Sequence, residues 1–299
     1  MLKPLKIASK HEGAPSTSAR DINNHCANSF ADAHCHLAEW SGEGASPVLV
    51  RPYSSGIEAC RAAGISTVLF GGYDPEDWSR QIACRAATRE ICPAFNVFMA
   101  FGLHPWAVNK LTHPECTEAL LLLRSSLREP ERRPQAIGEC GLDFSRLPRQ
   151  EPKGAKTRQQ EIFRIQCVLA AEEGLPIVVH SVRAMAATLE ILSEYSPKLK
   201  GALIHGFSGD KGVIARYLKH GPAGRTFFSV GPASFGGGDS AMKSIPPEFL
   251  LVESDGRFNE GEGARRLLEV AESLSRARGE PPANILERSN RNLMKFLGL

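Results

Sequence analysis

Asp32, His34 and His36 occupy alternate positions in the otherwise apolar segment FADAHCHL, residues 30–37. A β-strand repeats every two residues, so these three side chains are expected on one face, with Ala31, Ala33, Cys35 and Leu37 on the other. Two imidazoles at i and i+2 can hold one divalent cation, although a solvated edge strand would show the same pattern. Partners are therefore needed, and His104, Glu139, His180, His205 and Asp255 each stand at the end of another apolar run.

Those runs are FADAHCHL, STVLFGG, NVFMAFGLHPW, QAIGECGLDF, LPIVVHS, ALIHGFSG, TFFSVG and EFLLVESDG. Each is rich in Val, Ile, Leu or Phe and closes on Gly, Pro or a polar residue, which predicts eight strands. Segments with helical spacing lie between them. In RQQEIFRIQCVLAAEEG, residues 158–174, Ile162, Ile165, Val168 and Leu169 are expected to form one apolar stripe that Gly174 ends. Strand and helix alternating eight times predict an α/β fold, a parallel eight-stranded β/α barrel (TIM barrel). A doubly wound open sheet would carry a Gly-rich phosphate turn after its first strand, where this chain carries histidines.

In a parallel barrel the C-terminal strand ends converge on one mouth, so His34, His36, His104, Glu139, His180, His205 and Asp255 become neighbours. Ionised carboxylates in a partly dry pocket need a compensating charge. Histidines and carboxylates together suit a divalent-metal centre.

Composition bounds the rest. The 299 residues are 42% apolar and 23% charged, as in an ordinary soluble chain. The net charge of +3 gives no global field for coating nucleic acid or a membrane, so an anionic substrate must be handled locally. The eight cysteines lie between Cys26 and Cys167 without a CxxC pair, which favours a reducing, cytoplasmic setting over a disulfide framework or structural zinc. No apolar run is long enough to span a membrane. Residues 1–29 lack hydrophobic periodicity and read as a flexible N-terminal extension; residues 30–299 read as the barrel domain.

The chain resembles the TatD-type metal-dependent deoxyribonucleases. The resemblance rests on DAHCHL, FGLHPW, AIGECGLDF, QEIFRIQCVLA leading into LPIVVHSVRA, LIHGFSGD, LLVESDG and the closing NRNLMKFLGL, in that order. It implies a barrel hydrolase that holds two divalent ions, drawn from Mg, Mn or Zn, and cleaves phosphodiesters, commonly from the 3′ end of DNA. It assigns His34, His36 and Asp255 to one ion, His180 and His205 to a second, and Glu139 as the bridge. Asp255 is the candidate general base and Glu139 fixes the spacing of the ions. Asp32 is expected either to orient a ligating histidine or to make a buried hydrogen bond at the strand end.

Substrate contacts are expected from His104 and Trp106 at the rim, and from Arg183, a phosphate-binding position by the resemblance. The stretch SRLPRQEPKGAKTRQQ, residues 145–160, is expected to overhang the mouth as a basic loop with Arg146, Arg149, Lys153, Lys156 and Arg158. The chain departs from the resemblance at Gly256 and Arg257, where a proline is usual, and at Gly206, where a cysteine is usual. The first change is expected to loosen the rim. GPASFGGGDS, residues 231–240, has the composition of a lid. DNA is the expected partner, with RNA as a further substrate. The alternatives are a barrel hydrolase acting on a small phosphoester or amide, and an interaction module whose hydrolysis is incidental.

Overall fold

The computed structural model describes residues 29–37, 51–237, 240–258 and 261–299. The extension expected over residues 1–29 lies outside the described residues except for Ser29, and so do residues 238 and 239 of the Gly-rich stretch. In chain order the elements are β1 (Phe30–Cys35), α1 (Arg51–Ala62), β2 (Ile65–Phe70), α2 (Pro75–Ile91), β3 (Asn96–Phe101), α3 (Pro105–Lys110), α4 (His113–Ser126) and β4 (Ala136–Asp143). They continue with α5 (Pro152–Glu173), β5 (Ile177–Val182), α6 (Met185–Tyr195), β6 (Ala202–Ile204), α7 (Lys211–His220) and β7 (Thr226–Val230). The last four are α8 (Ser240–Ser244), β8 (Leu250–Val252), α9 (Glu262–Arg278) and α10 (Pro282–Leu297). The strands pair in sequence order, and every pair is parallel. All eight expected strands are present.

Strands covered on both faces must be apolar throughout, which explains the continuous runs; β1, β4 and β7 are buried along their whole length. Every strand contributes to a small apolar cluster that includes Leu69, Val178, Leu203, Phe227 and Leu251, joined by Leu293, Phe296 and Leu297 of α10. Two residues beyond Val178, Leu203 and Leu251 stand His180, His205 and Glu253, on the same strand faces. The cluster thus lies one layer beneath the polar mouth. A larger apolar layer fills the space between strands and helices.

β8 and β1 meet through the residues at the site. Asp255 N–H donates to His34 O at 3.0 Å, and His36 N–H donates to Gly256 O at 2.9 Å. Asp32 Oδ1 accepts from Ser254 N at 2.9 Å. Pairing of β1 with β2 slips between Asp32 and Cys35, which breaks the expected alternation. Asp32 consequently ties β1 to the end of β8 and does not join His36 in lining the pocket.

Helix α5 also differs from expectation. It starts at Pro152, six residues before Arg158, with the proline in the first turn where its missing N–H costs nothing. Lys153, Lys156 and Arg158 are therefore helical, and only Arg146 and Arg149 belong to the loop. The expected apolar stripe is shifted too, because Ile165 is 43% exposed while Gln159 and Gln166 are buried. Those glutamines tie strand ends. Gln159 accepts from Asp143 N and donates to Asp143 O. Gln166 accepts from Leu103 N and donates to Leu103 O. Among the described residues no helix is long and apolar enough to cross a membrane.

Candidate metal centre at the barrel mouth

Glu139, 2% exposed and in the middle of β4 rather than at the strand end expected for it, is the hub of the site. Its Oε2 lies 3.1 Å from His34 Nε2 and 3.8 Å from His36 Nε2. Its Oε1 lies 2.6 Å from His180 Nδ1, 2.7 Å from His205 Nε2 and 3.1 Å from His104 Nε2. Asp255 completes the ring through His36, whose Nε2 is 3.2 Å from Asp255 Oδ1. Asp255 has φ 45°, a conformation non-glycine residues rarely adopt. Its backbone hydrogen bond to His34 O helps to hold it there. Gly71 is the counterpart just after β2: a Cβ there would collide with the His34 ring, so only glycine leaves that imidazole its place.

A second layer of carboxylates fixes the rings. Asp143 Oδ2 accepts from Trp106 Nε1 at 2.7 Å and faces His180 Nε2 at 3.3 Å. Asp143 Oδ1 accepts from the Ser145 backbone and hydroxyl. Glu253 stands 3.6 Å from His205 Nδ1 and accepts from Gly206 N and the Ser229 hydroxyl. His104 Nδ1 accepts the Trp106 N–H at the start of α3, so in the neutral ring Nε2 carries the proton and donates toward Glu139. Tyr73 stacks on His104, with ring centroids 5.0 Å apart.

Electrostatics follow from burial and this pairing. Burial pushes His34 down, and His104 down to about 4. For His36 burial opposes the charged ring, yet the Asp255 hydrogen bond and the Glu139 charge lift it to about 9. His180 and His205 are also raised: burial opposes their charge, but the Asp143 and Glu139 contacts outweigh it for His180, and Glu139 and Glu253 do so for His205. Burial alone would raise Glu139, but the surrounding imidazoles hold it well below the usual carboxylate range. Burial likewise opposes ionisation of Asp255, whose partner His36 holds it down.

The donor set fits divalent cations. Both His34 ring nitrogens are buried without a hydrogen bond, although Nε2 approaches Glu139 closely. With the Nε2 proton of His180 directed at Asp143, its Nδ1 faces Glu139 Oε1 and, at 3.1 Å, His205 Nε2. Such crowding of electron pairs is relieved only by a proton or a cation between them. Three groups bring three donors within reach of one ion: His34, Glu139 and His205; His34, His36 and Asp255; and His104, Glu139 and His180.

All six residues named as metal ligands thus converge. His104, expected at the rim, is buried inside the cluster. Trp106 stands beside it, with the Arg146 guanidinium 3.9 Å from the centre of the indole ring, so a base stacking on that face would have to displace Arg146. Arg183 is exposed, with φ 52°, and is not among the residues lining the pocket. After Asp255, backbone bonds run from Phe258 N to His36 O and from Gly263 N to Arg257 O. Sequence reasoning passed over Asp143, Glu253 and Tyr73. Asp143 and Glu253 stand within four residues of a ligand on the same strand run, the one signal that could have marked them.

A parallel barrel whose mouth gathers histidines around a buried glutamate defines the class of metal-dependent barrel hydrolases. The profile of the family described as TatD related DNase matches residues 31–298, and the chain belongs to that family. It is similar to the 3′-5′ ssDNA/RNA exonuclease TatD of Pantoea vagans, 31% identical over 209 residues that cover 68% of this chain and 72% of that protein. The protein of the same description from Cronobacter sakazakii is 35% identical over 207 residues, covering 68% and 71%. The crystal structure of YJJV, a TatD homolog from Escherichia coli, shares the fold with a TM-score of 0.69 at 23% identity, covering 90% of this chain and 98% of that one.

Proposed function

We propose that this hydrolase is a divalent-metal-dependent nuclease that removes nucleotides from the 3′ end of single-stranded or frayed DNA, and of RNA. The observation that carries this is the convergence of His34, His36, His180 and His205 on Glu139, with Asp255 held against His36. Relatives named as ssDNA/RNA exonucleases support the substrate class.

His34, His36 and Asp255 would hold one cation and His180 and His205 a second, with Glu139 between the two sets; Mg, Mn and Zn all suit the donors. Cations held there would supply charge neutralisation at the phosphate and acidification of water. The protein's own part is positioning. Asp255, ionised and half-buried, accepts a proton from the attacking water. His104, protonated at Nε2 by its bond from Trp106, donates to a phosphate oxygen seated beside Glu139. Trp106 and Arg146 form an aromatic and cationic edge for the nucleotide.

The test is digestion of end-labelled single-stranded DNA by metal-stripped protein, with each cation restored in turn, beside Glu139→Ala and His180→Ala. Restored wild type should shorten the strand from its 3′ end, and each variant should lose at least about 100-fold in rate. Equal cutting by the variants and by the stripped protein would refute the proposal. Turnover of only a small phosphoester or amide would reassign the substrate.

A further inference from the structure

The pocket of about 270 Å³ over the metal centre extends to a wall that the metal ligands do not build: Arg80 of α2, Arg257 after β8 and Arg266 of α9, with Asp77 and Glu262. Glu262 joins two of these arginines, taking Arg257 Nε on Oε2 at 3.1 Å and Arg266 Nη2 on Oε1 at 2.6 Å. Arg266 Nη1 also donates to Asp255 O at 3.3 Å, which ties this wall to a proposed ligand. Gly256 lets Arg266 lie close, since a Cβ there would stand 3.3 Å from Arg266 Cδ and 3.0 Å from Gly263 Cα. Arg80 is held loosely, 3.7 Å from Glu76 and 3.9 Å from Asp77, and its buried Nε has no hydrogen-bond partner.

These side chains are about one quarter to one third exposed, which is unlike a freely solvated cationic face. Three guanidinium groups line this wall. A guanidinium carries five N–H donors in a fixed planar fork, and the shared Glu262 carboxylate orients the Arg257 and Arg266 forks. Planar forks directed into a pocket suit the paired oxygens of a phosphate.

We propose that Arg80, Arg257 and Arg266 form a phosphate subsite that holds the second phosphate of the substrate, one nucleotide away from the bond that is cut. This rests on the phosphodiesterase function proposed above. It gives the enzyme a means of preferring a polynucleotide to a small diester, because the cluster around Glu139 engages only the reacting phosphate.

The experiment compares kcat/KM for a dinucleotide whose single phosphate is the scissile one with that for a trinucleotide, and for dinucleotides carrying an added 5′ or 3′ phosphate. Wild type is measured beside Arg257→Ala, Arg257→Lys and Arg80→Ala, with circular dichroism confirming that each is folded. In wild type the second phosphate should raise kcat/KM. In each alanine variant that advantage should shrink about 10-fold, mainly through KM, and the salt dependence of binding should fall by about one phosphate contact. Arg257→Lys should restore part of it, since charge is kept and the fork is lost. Loss of the advantage with either the 5′ or the 3′ phosphate supports the subsite and reveals its side. An advantage that survives in both alanine variants, or that is absent from wild type while the dinucleotide is cut, overturns the subsite and leaves the nuclease function standing. Failure of wild type to cut any of these diesters with any cation overturns both.

Discussion

Asp143 shows how much of the site's behaviour is set by one residue that does not face the cations. By accepting from His180 Nε2 and Trp106 Nε1, it selects the imidazole tautomer that turns a lone pair toward Glu139. Asp143→Ala should therefore weaken divalent-ion binding about 10- to 100-fold in calorimetric titration, while the fold survives. Asp143→Asn should recover little, because its amide can offer a donor where His180 needs an acceptor. Unchanged metal affinity in Asp143→Ala would show that His180 needs no such support. His34, His36 and Glu139 were legible in the sequence because their residue types are rare at the ends of apolar runs. Asp143 was not, because an aspartate at a strand end is equally at home in a turn, and its partners lie 37 residues away on either side.

At the scale of elements, helix α5 does more than cover the barrel. Gln166 satisfies both backbone groups of Leu103, the residue before His104. Gln166→Leu would fill similar space and leave a buried N–H and C=O unpaired, at a cost of about 1 to 3 kcal/mol each. Urea unfolding should show a loss of about 2 to 6 kcal/mol, and an unaltered midpoint would contradict the clamp. The strands were legible because parallel strands buried on both faces must be continuously apolar. The buried face of α5 was not, since a glutamine satisfied by a strand end looks polar in sequence and Ile165, which looks like core, is exposed.

For the molecule as a whole, the cluster of ionisable groups makes stability depend on cations and on pH together. Ions that bind only the folded chain stabilise it by about 2.7 kcal/mol at 100 times their Kd. In the ion-free protein His36 is raised to about 9 from an ordinary value of 6.5, so its ion pair contributes stability fully below pH 6.5 and loses it as pH rises through 9. A bound ion must displace that proton, so binding strengthens over the same interval. Thermal melts with and without a chelator should accordingly diverge progressively from pH 6.5 to pH 9. A constant difference across that range would show that His36 holds no proton that the metal must replace.

The sequence by itself determined the barrel and the residue types at its mouth, because strand periodicity, turn chemistry and rare polar residues at apolar strand ends are local properties. Only the tertiary structure decided that Asp32 closes the β1–β8 seam, that His104 lies within the cluster and that three distant arginines share a wall. Those outcomes depend on the slip in strand pairing and on which strand ends face each other across the barrel. Neither is encoded in any short stretch of chain.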